Sequence, residues 1–87
     1  MKYQVSLAPA VTKFLTKVTK QDRYRIIKGL LSLRQDPFLG KKLKGMFAGF
    51  YSIRVWPYRI IYDVRQKECL VFVIRIGSRK DVYRCRS

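Results

Sequence analysis

The spacing of apolar residues changes once along this chain, near Phe50, and this change limits the folds that the chain can adopt. Before it, apolar residues recur every three or four positions, as on one face of a helix. After it, three extended runs rich in β-branched and aromatic residues follow one another with short links. This order predicts an α+β fold with helices packed on a small antiparallel sheet.

One strand and two helices are predicted before the change. Lys2 to Leu7 alternates in polarity, which indicates a half-buried strand. Residues 8–18 are predicted to form a short amphipathic helix with Pro9 in its first turn. A second helix follows Thr19, which can cap it, and ends before Asp36–Pro37. The apolar stripe predicted for this helix consists of Tyr24, Ile27, Leu30, Leu31 and Leu33.

Three strands are predicted after the change, joined as an antiparallel meander. Trp56–Pro57 separates the first two strands and Arg65 to Glu68 the last two, and such short links favour hairpins. Both helices are expected on one face of the sheet, so its other face stays open. Residues 37–49 contain three glycines and three lysines, and we interpret them as a basic loop. The whole chain, 1–87, is expected to be one domain.

The open face of the sheet is expected to carry the function. Because side chains alternate along a strand, Arg54, Arg59 and Arg75 should project together from this face. Asp63 is the only nearby acid that shares their parity. A guanidinium group can bind two phosphate oxygens at once, so the three arginines indicate a phosphate-binding surface. The residues of the last strand predicted to face the helices are Leu70, Phe72, Ile74 and Ile76.

Charge and residue types narrow the classes of partner. The chain has 20 Lys and Arg against 5 Asp and Glu, a net charge of +15, which favours nucleic acid over an anionic membrane. An acidic protein partner is compatible with the same charge. No apolar run approaches the roughly 18 residues of a membrane helix, and the N-terminus does not resemble a signal peptide, so a soluble cytoplasmic protein is expected. Histidine is absent, and neither Cys69 nor Cys85 has a metal-ligand neighbour, so we expect no metal or other cofactor.

The segment from Lys42 to Asp63 resembles the RelE family of toxins, which belong to bacterial and archaeal toxin–antitoxin pairs. Three short motifs carry the resemblance: LKG at 43–45, YSIR at 51–54 and YRIIY at 58–62. The tail from Ile76 to Tyr83 resembles the closing motif of the family, a glycine followed by basic residues and valine–tyrosine. Together the motifs extend the resemblance over nearly the whole chain.

The resemblance implies a metal-independent endoribonuclease that cuts mRNA in the ribosomal decoding site and is inhibited by an acidic, RelB-like antitoxin. It implies catalytic roles for Arg54, Arg59, Arg79 and Tyr83. Tyr83 is the candidate base, because neighbouring arginines favour its phenolate. Family members often carry a lysine at the position of Ser52, so the cluster here lacks one charge. The residues expected to contact RNA are Lys41, Lys42, Lys44, Ser52, Arg75 and Lys80.

Two other functions remain open from the sequence. ParE toxins share the fold of the RelE toxins but poison DNA gyrase, and they generally lack the arginine and tyrosine set. A non-catalytic RNA-binding module is the third possibility. Trp56, at the predicted hairpin turn, either contacts RNA or packs against its neighbours, and we expect the packing or turn role.

Overall fold

The computed structural model describes residues 2–78, which contain two helices and five strands. Their order is β1 (Gln4–Leu7), α1 (Pro9–Lys17), α2 (Lys20–Gln35), β2 (Lys41–Lys42), β3 (Tyr51–Val55), β4 (Tyr58–Arg65) and β5 (Leu70–Ser78). This succession confirms the predicted α+β class and every predicted helix and strand. Within this range, neither helix is long and apolar enough to cross a membrane.

The strands form one sheet in the order β1-β5-β4-β3-β2. The predicted meander is present, because β3, β4 and β5 are antiparallel neighbours. β1 differs from the expected antiparallel arrangement, since it pairs with β5 in parallel. Parallel pairing requires a long crossover connection, and the chain between β1 and β5 provides one. β2 lies at the opposite edge, within the predicted basic loop.

Side-chain hydrogen bonds define the junction between the two helices. The backbone N–H of Asp22 donates to Thr19 Oγ1 at 3.1 Å, so Thr19 caps α2 as predicted. Arg23 donates to the carbonyl oxygens of Leu15 at 2.9 Å and Val18 at 3.4 Å, at the end of α1. These carbonyls would otherwise lack a partner inside the helix. One arginine therefore fixes how α2 leaves α1.

The face of α2 that packs on the sheet is not the predicted one. Leu30 and Leu33 are buried as expected, but their neighbour on this face is Ile26. Gly29 lies on the same face, where a Cβ atom would stand only 2.7 Å from a methyl carbon of Val55. The absence of a side chain at this position lets α2 approach β3 closely. The residues wrongly predicted as buried are Tyr24 (65% exposed), Ile27 (42%) and Leu31 (50%).

An irregularity in β5 changes the strand's alternation part-way along. Ile61 of β4 pairs with Arg75, but the next residue, Tyr62, pairs with Val73. Ile74 is therefore the extra residue of a bulge. Such an insertion shifts all residues before it to the other side of the sheet.

The bulge reverses the predicted orientation of the first half of β5. Val71 and Val73 are fully buried in the core. Leu70 and Phe72 instead lie on the opposite face, where the guanidinium carbon of Arg65 stands 5.4 Å from the ring centroid of Phe72. The predicted inward orientation was thus wrong before the bulge. It was right after the bulge, because Ile76 contributes to the core.

Candidate nucleic-acid interface

Two arginines face each other directly across the β3–β4 hairpin. Arg54 and Arg59 are partners in the ladder, so their Cβ atoms are separated by about 5 Å. Their strands bury the alternate residues on the helix side, so both side chains project from the other face. Like charges placed directly opposite each other destabilise a sheet. Among residues 2–78, no acid forms an ion pair with either arginine.

Three further cations lie on the same face, and one of them, Arg65, forms an ion pair with Asp63 at 3.2 Å. Ser52 pairs with Lys41 on one side and with Ile61 on the other, and Ile61 pairs with Arg75. Partners in a ladder share a face of the sheet, so the register confirms the predicted common face of the three arginines. It also places Lys41 of β2, one of the residues expected to contact RNA, on this face. We call the four cations other than Arg65 the cationic face, and its members are Lys41, Arg54, Arg59 and Arg75.

The members of the cationic face differ in exposure. Lys41 and Arg54 are exposed, whereas Arg59 and Arg75 are partly buried. The guanidinium carbon of Arg75 lies 5.9 Å from the ring centroid of Phe47, a cation–π contact. Phe47 belongs to a short 3-10 turn, so this part of the loop lies over the sheet beside Arg75. The two exposed members are therefore the more accessible to a polyanion.

Tyr62 holds the segment that leads into β2. Its side chain is fully buried, and its hydroxyl donates to the carbonyl oxygen of Pro37 and accepts from the backbone N–H of Gly40, both at 2.9 Å. Burial raises the pKa of Tyr62, so the hydroxyl keeps the proton that it donates. A Cβ atom on Gly40 would stand 2.5 Å from this hydroxyl, so glycine is required for the contact. Lys41 follows directly.

The remaining residues predicted for the site are distributed differently. Ser52 is on the same side as the cationic face, but it is only 5% exposed and brings no charge. Lys42 pairs with Tyr51 and therefore lies on the opposite side of the sheet. Lys44 is exposed and precedes the 3-10 turn. The predicted residues that lie outside the described range are Arg79, Lys80 and Tyr83.

Two tyrosines of β4 are poor candidates for a catalytic base. The hydroxyl of Tyr58 donates to Asp22 Oδ2 at 2.8 Å, and this hydrogen bond raises the pKa of Tyr58. Burial raises the pKa of Tyr62. Both shifts disfavour the phenolate that would accept a proton. The described tyrosines of β4 therefore do not replace Tyr83 as the predicted base.

Comparison with known families identifies the chain. The sequence model of the family described as "ParE toxin of type II toxin-antitoxin system, parDE" matches residues 5–83. The chain belongs to this family of toxins. Together with its similarity to individual RelE toxins, this match makes it a RelE-type toxin of the RelE/ParE superfamily.

The most similar relatives include two from Mycobacterium tuberculosis. Toxin RelG is 34% identical over 53 residues, which span 60% of this toxin and 61% of RelG. The toxin–antitoxin complex RelBE2 contains a chain that superposes with a TM-score of 0.84, covers 91% of this toxin and 100% of that chain, and at 23% identity demonstrates the shared fold. The archaeal RelE–RelB complex from Pyrococcus horikoshii gives 26% identity and a TM-score of 0.80, over 93% of this toxin and 99% of that chain.

Proposed function

We propose that this toxin is an endoribonuclease that cleaves translated mRNA on the ribosome without a metal ion. The observation that best supports the proposal is the pair Arg54 and Arg59, two opposed cations that no acid in residues 2–78 neutralises. A sheet tolerates such repulsion where an anion compensates it, and the backbone of RNA is such an anion. The similarity to RelE toxins supports the same function.

The chemistry that we propose uses the nucleophile of the RNA itself. The 2′-hydroxyl attacks the adjacent phosphorus and the 5′ oxygen leaves, which gives a 2′,3′-cyclic phosphate and a free 5′-hydroxyl. One proton must leave the 2′-hydroxyl, one must reach the 5′ oxygen, and the phosphorane between them carries two negative charges. Arg59 binds its non-bridging oxygens, assisted by Arg54. Electrostatic stabilisation of this kind usually contributes more to catalysis than any other single effect.

Removal of the proton from the 2′-hydroxyl is assigned to the C-terminal tail. We propose Tyr83 as the base, the role that the resemblance to RelE toxins implies for it, with the arginines of the site favouring its phenolate. Arg79 assists at the phosphate, and Lys80 contacts the RNA nearby. A site with so weak a base gains most from a substrate held in the reactive geometry, and we propose that the ribosome provides this positioning.

Lys41 supplies the charge that the cluster lacks at Ser52. The two residues are direct partners across the β2–β3 ladder, so an ammonium group on Lys41 can reach the same phosphate region. We therefore assign Lys41 to RNA binding next to the arginine pair, with Lys44 beyond it on the loop. Lys42 pairs with Tyr51 and therefore lies on the helix side of the sheet. We propose that it reaches RNA only from the edge of the sheet.

Mapping of mRNA ends after brief induction of the toxin tests the proposal. Primer extension should show new ends inside translated codons for the wild type and none for Arg59→Ala. Arg34→Ala is the matched control, because Arg34 is an exposed arginine in the last turn of α2 and should leave the cuts in place. Growth arrest without new ends contradicts the proposal.

Poisoning of DNA gyrase is the second candidate function. The family model that matches residues 5–83 is described as a ParE toxin, and this observation favours gyrase as the target. Inhibition of supercoiling by the purified toxin, with intact transcripts in the cell, would support gyrase as the target. Binding of RNA without either effect would instead indicate a non-catalytic RNA-binding module.

We also propose an acidic antitoxin as the partner of this toxin. A groove of about 630 Å³ lies between α2 and the edge strand β1, and Ile27, Leu31 and Val5 line it. An exposed apolar groove beside an unextended sheet edge suits an added strand or helix, and a net charge of +15 favours an acidic one. The RelBE2 structure is a toxin–antitoxin complex, and the structure from Pyrococcus horikoshii is a RelE–RelB complex.

Co-purification of toxin and antitoxin tests this docking site. Leu31→Gln should weaken the complex, because it places a polar group in the groove without changing the net charge. Thr12→Gln on the exposed side of α1 is the matched control and should leave the complex intact. Equal recovery of antitoxin with both variants would place the interface elsewhere.

A further inference from the structure

Trp56 is a highly exposed aromatic side chain, although a packing or turn role was expected for it. It lies in the two-residue turn between β3 and β4, and 73% of its surface is accessible. The position in the turn agrees with the sequence analysis, but the packing does not. A single exposed apolar side chain is common on protein surfaces, so the groups around Trp56 decide whether it contacts a ligand.

The surroundings of Trp56 point to the kind of ligand. A cavity of about 330 Å³ opens at this end of the hairpin, and its lining includes Trp56, Arg54 and Arg59. This volume is at the lower end of the range of about 300–1,000 Å³ found for small-molecule sites. One wall is thus an indole ring and another carries the two guanidinium groups that the acids of residues 2–78 leave unpaired.

We infer that this cavity binds one unpaired nucleotide of RNA, with its base stacked on Trp56. An indole ring presents a flat π-surface on which any unpaired base can stack, and guanidinium groups bind the attached phosphate. The inference rests on the proposed function, which identifies the RNA as mRNA. It adds a binding site for the base that is attached next to the phosphate held by Arg54 and Arg59. Trp56 therefore fixes the position of the substrate along the cationic face.

The chain carries its own reporter for this contact. Trp56 is the only tryptophan in the sequence, so the intrinsic indole fluorescence comes from this one side chain. Stacking of a base should quench this fluorescence. A single-stranded RNA oligonucleotide with 2′-O-methyl groups cannot be cleaved, so it serves as the probe for binding alone. An abasic oligonucleotide of the same length keeps the phosphates and removes the bases.

The expected result is quenching by the RNA oligonucleotide and none by its abasic counterpart. Trp56→Ala has no tryptophan, so its binding is measured with a dye-labelled form of the 2′-O-methyl oligonucleotide. This variant should bind about 10- to 100-fold more weakly, the range that follows from losing one base–aromatic stack. Trp56→Phe should recover most of the affinity. Tyr24→Ala is the matched control, since Tyr24 is an exposed aromatic residue on α2 and its loss should change nothing. Thermal unfolding of each variant verifies that it folds.

The outcomes separate this inference from the proposed function. Quenching without any mRNA cleavage keeps the stacking site and removes the nuclease activity. Cleavage by the wild type, together with unchanged affinity of Trp56→Ala and no quenching by either RNA, overturns the inference and leaves the nuclease proposal intact.

Discussion

Removal of one buried hydroxyl should loosen the edge of the sheet that carries Lys41. In Tyr62→Phe the ring remains and only the oxygen is lost, together with its hydrogen bonds to Pro37 and Gly40. Pro37 is buried, and its carbonyl oxygen then loses the hydrogen bond that the Tyr62 hydroxyl donates. Because the ring remains, the substitution creates no large cavity. It therefore tests only whether the hydroxyl of Tyr62 anchors the start of β2.

The expected loss of stability follows from these two hydrogen bonds. Each contributes a net of about 0.5–1.5 kcal/mol, so Tyr62→Phe should lower the free energy of unfolding by about 2 kcal/mol. For a domain of this size, 1 kcal/mol shifts the Tm by roughly 4–8 °C, so the Tm should fall by about 8–16 °C. Circular dichroism during heating measures it. Tyr24→Phe removes a hydroxyl from an exposed tyrosine and should leave the Tm unchanged.

The pH dependence provides a second check of the same reasoning. Burial raises the pKa of Tyr62 in the folded protein, so the neutral hydroxyl stabilises the fold fully below the unfolded pKa of about 10. This contribution is lost as the pH rises through the higher pKa of the folded state. The difference in stability between wild type and Tyr62→Phe should be constant from pH 6 to 9 and shrink above about pH 10. A Tm within 2 °C of wild type at neutral pH would refute the anchoring role, on the scale of about 4–8 °C per kcal/mol.

Three further predictions address the sheet, the helix junction and the RNA-binding surface. Gly40→Ala should destabilise the fold by about 1–3 kcal/mol in urea unfolding, because its Cβ would stand 2.5 Å from the Tyr62 hydroxyl and 2.7 Å from the Ser52 carbonyl oxygen; a midpoint equal to wild type would contradict this packing. Thr19→Ala should cost about 1 kcal/mol through loss of the α2 cap, and an unchanged unfolding midpoint would argue against the cap. Arg54→Ala should reduce the slope of log affinity against log salt concentration for single-stranded RNA by about 0.7. Lys13→Ala, on α1, should leave that slope unchanged, and equal slopes for both variants would exclude Arg54 from the interface.

The arginine pair could be predicted from the sequence because a two-residue turn fixes the register of its hairpin. With Trp56–Pro57 at the turn, alternation alone places Arg54 opposite Arg59. Arg75 was also placed correctly, since it lies after the bulge in β5 and keeps its expected phase. The roles assigned to these arginines stay predictions.

The first half of β5 could not be oriented from its own residues. Leu70 to Ile74 are all apolar, so either alternate set can fill a core and the pattern favours neither. The choice is made by pairing with β4, which shifts the register at Ile61 and Tyr62. α2 presents a similar ambiguity, because a stripe through Ile26 and one through Ile27 both have helical spacing. The close approach at Gly29 selects the first.

Lys41 joins the cationic face through a feature that leaves no pattern in the sequence. β2 has only two residues, too few for alternation to be visible, and the surrounding glycines and lysines are typical of a loop. The position of Lys41 depends on Tyr62, whose hydroxyl accepts a hydrogen bond from the backbone N–H of Gly40, 22 residues earlier in the chain. Long-range contacts of this kind require the folded structure.

Cleavage by the purified toxin of mRNA held on ribosomes tests the central claim most directly. The substrate is a defined mRNA, supplied with ribonucleotides throughout or with one 2′-deoxynucleotide at the cut position, and wild type is compared with Arg59→Ala and Arg34→Ala. We predict that wild type and Arg34→Ala cut the ribosome-bound RNA and leave a 2′,3′-cyclic phosphate. The 2′-deoxy substrate and Arg59→Ala should give no product. Cutting of the 2′-deoxy substrate, or wild-type cutting by Arg59→Ala, would contradict the proposed mechanism, and inhibition of gyrase without any cutting would contradict the function itself.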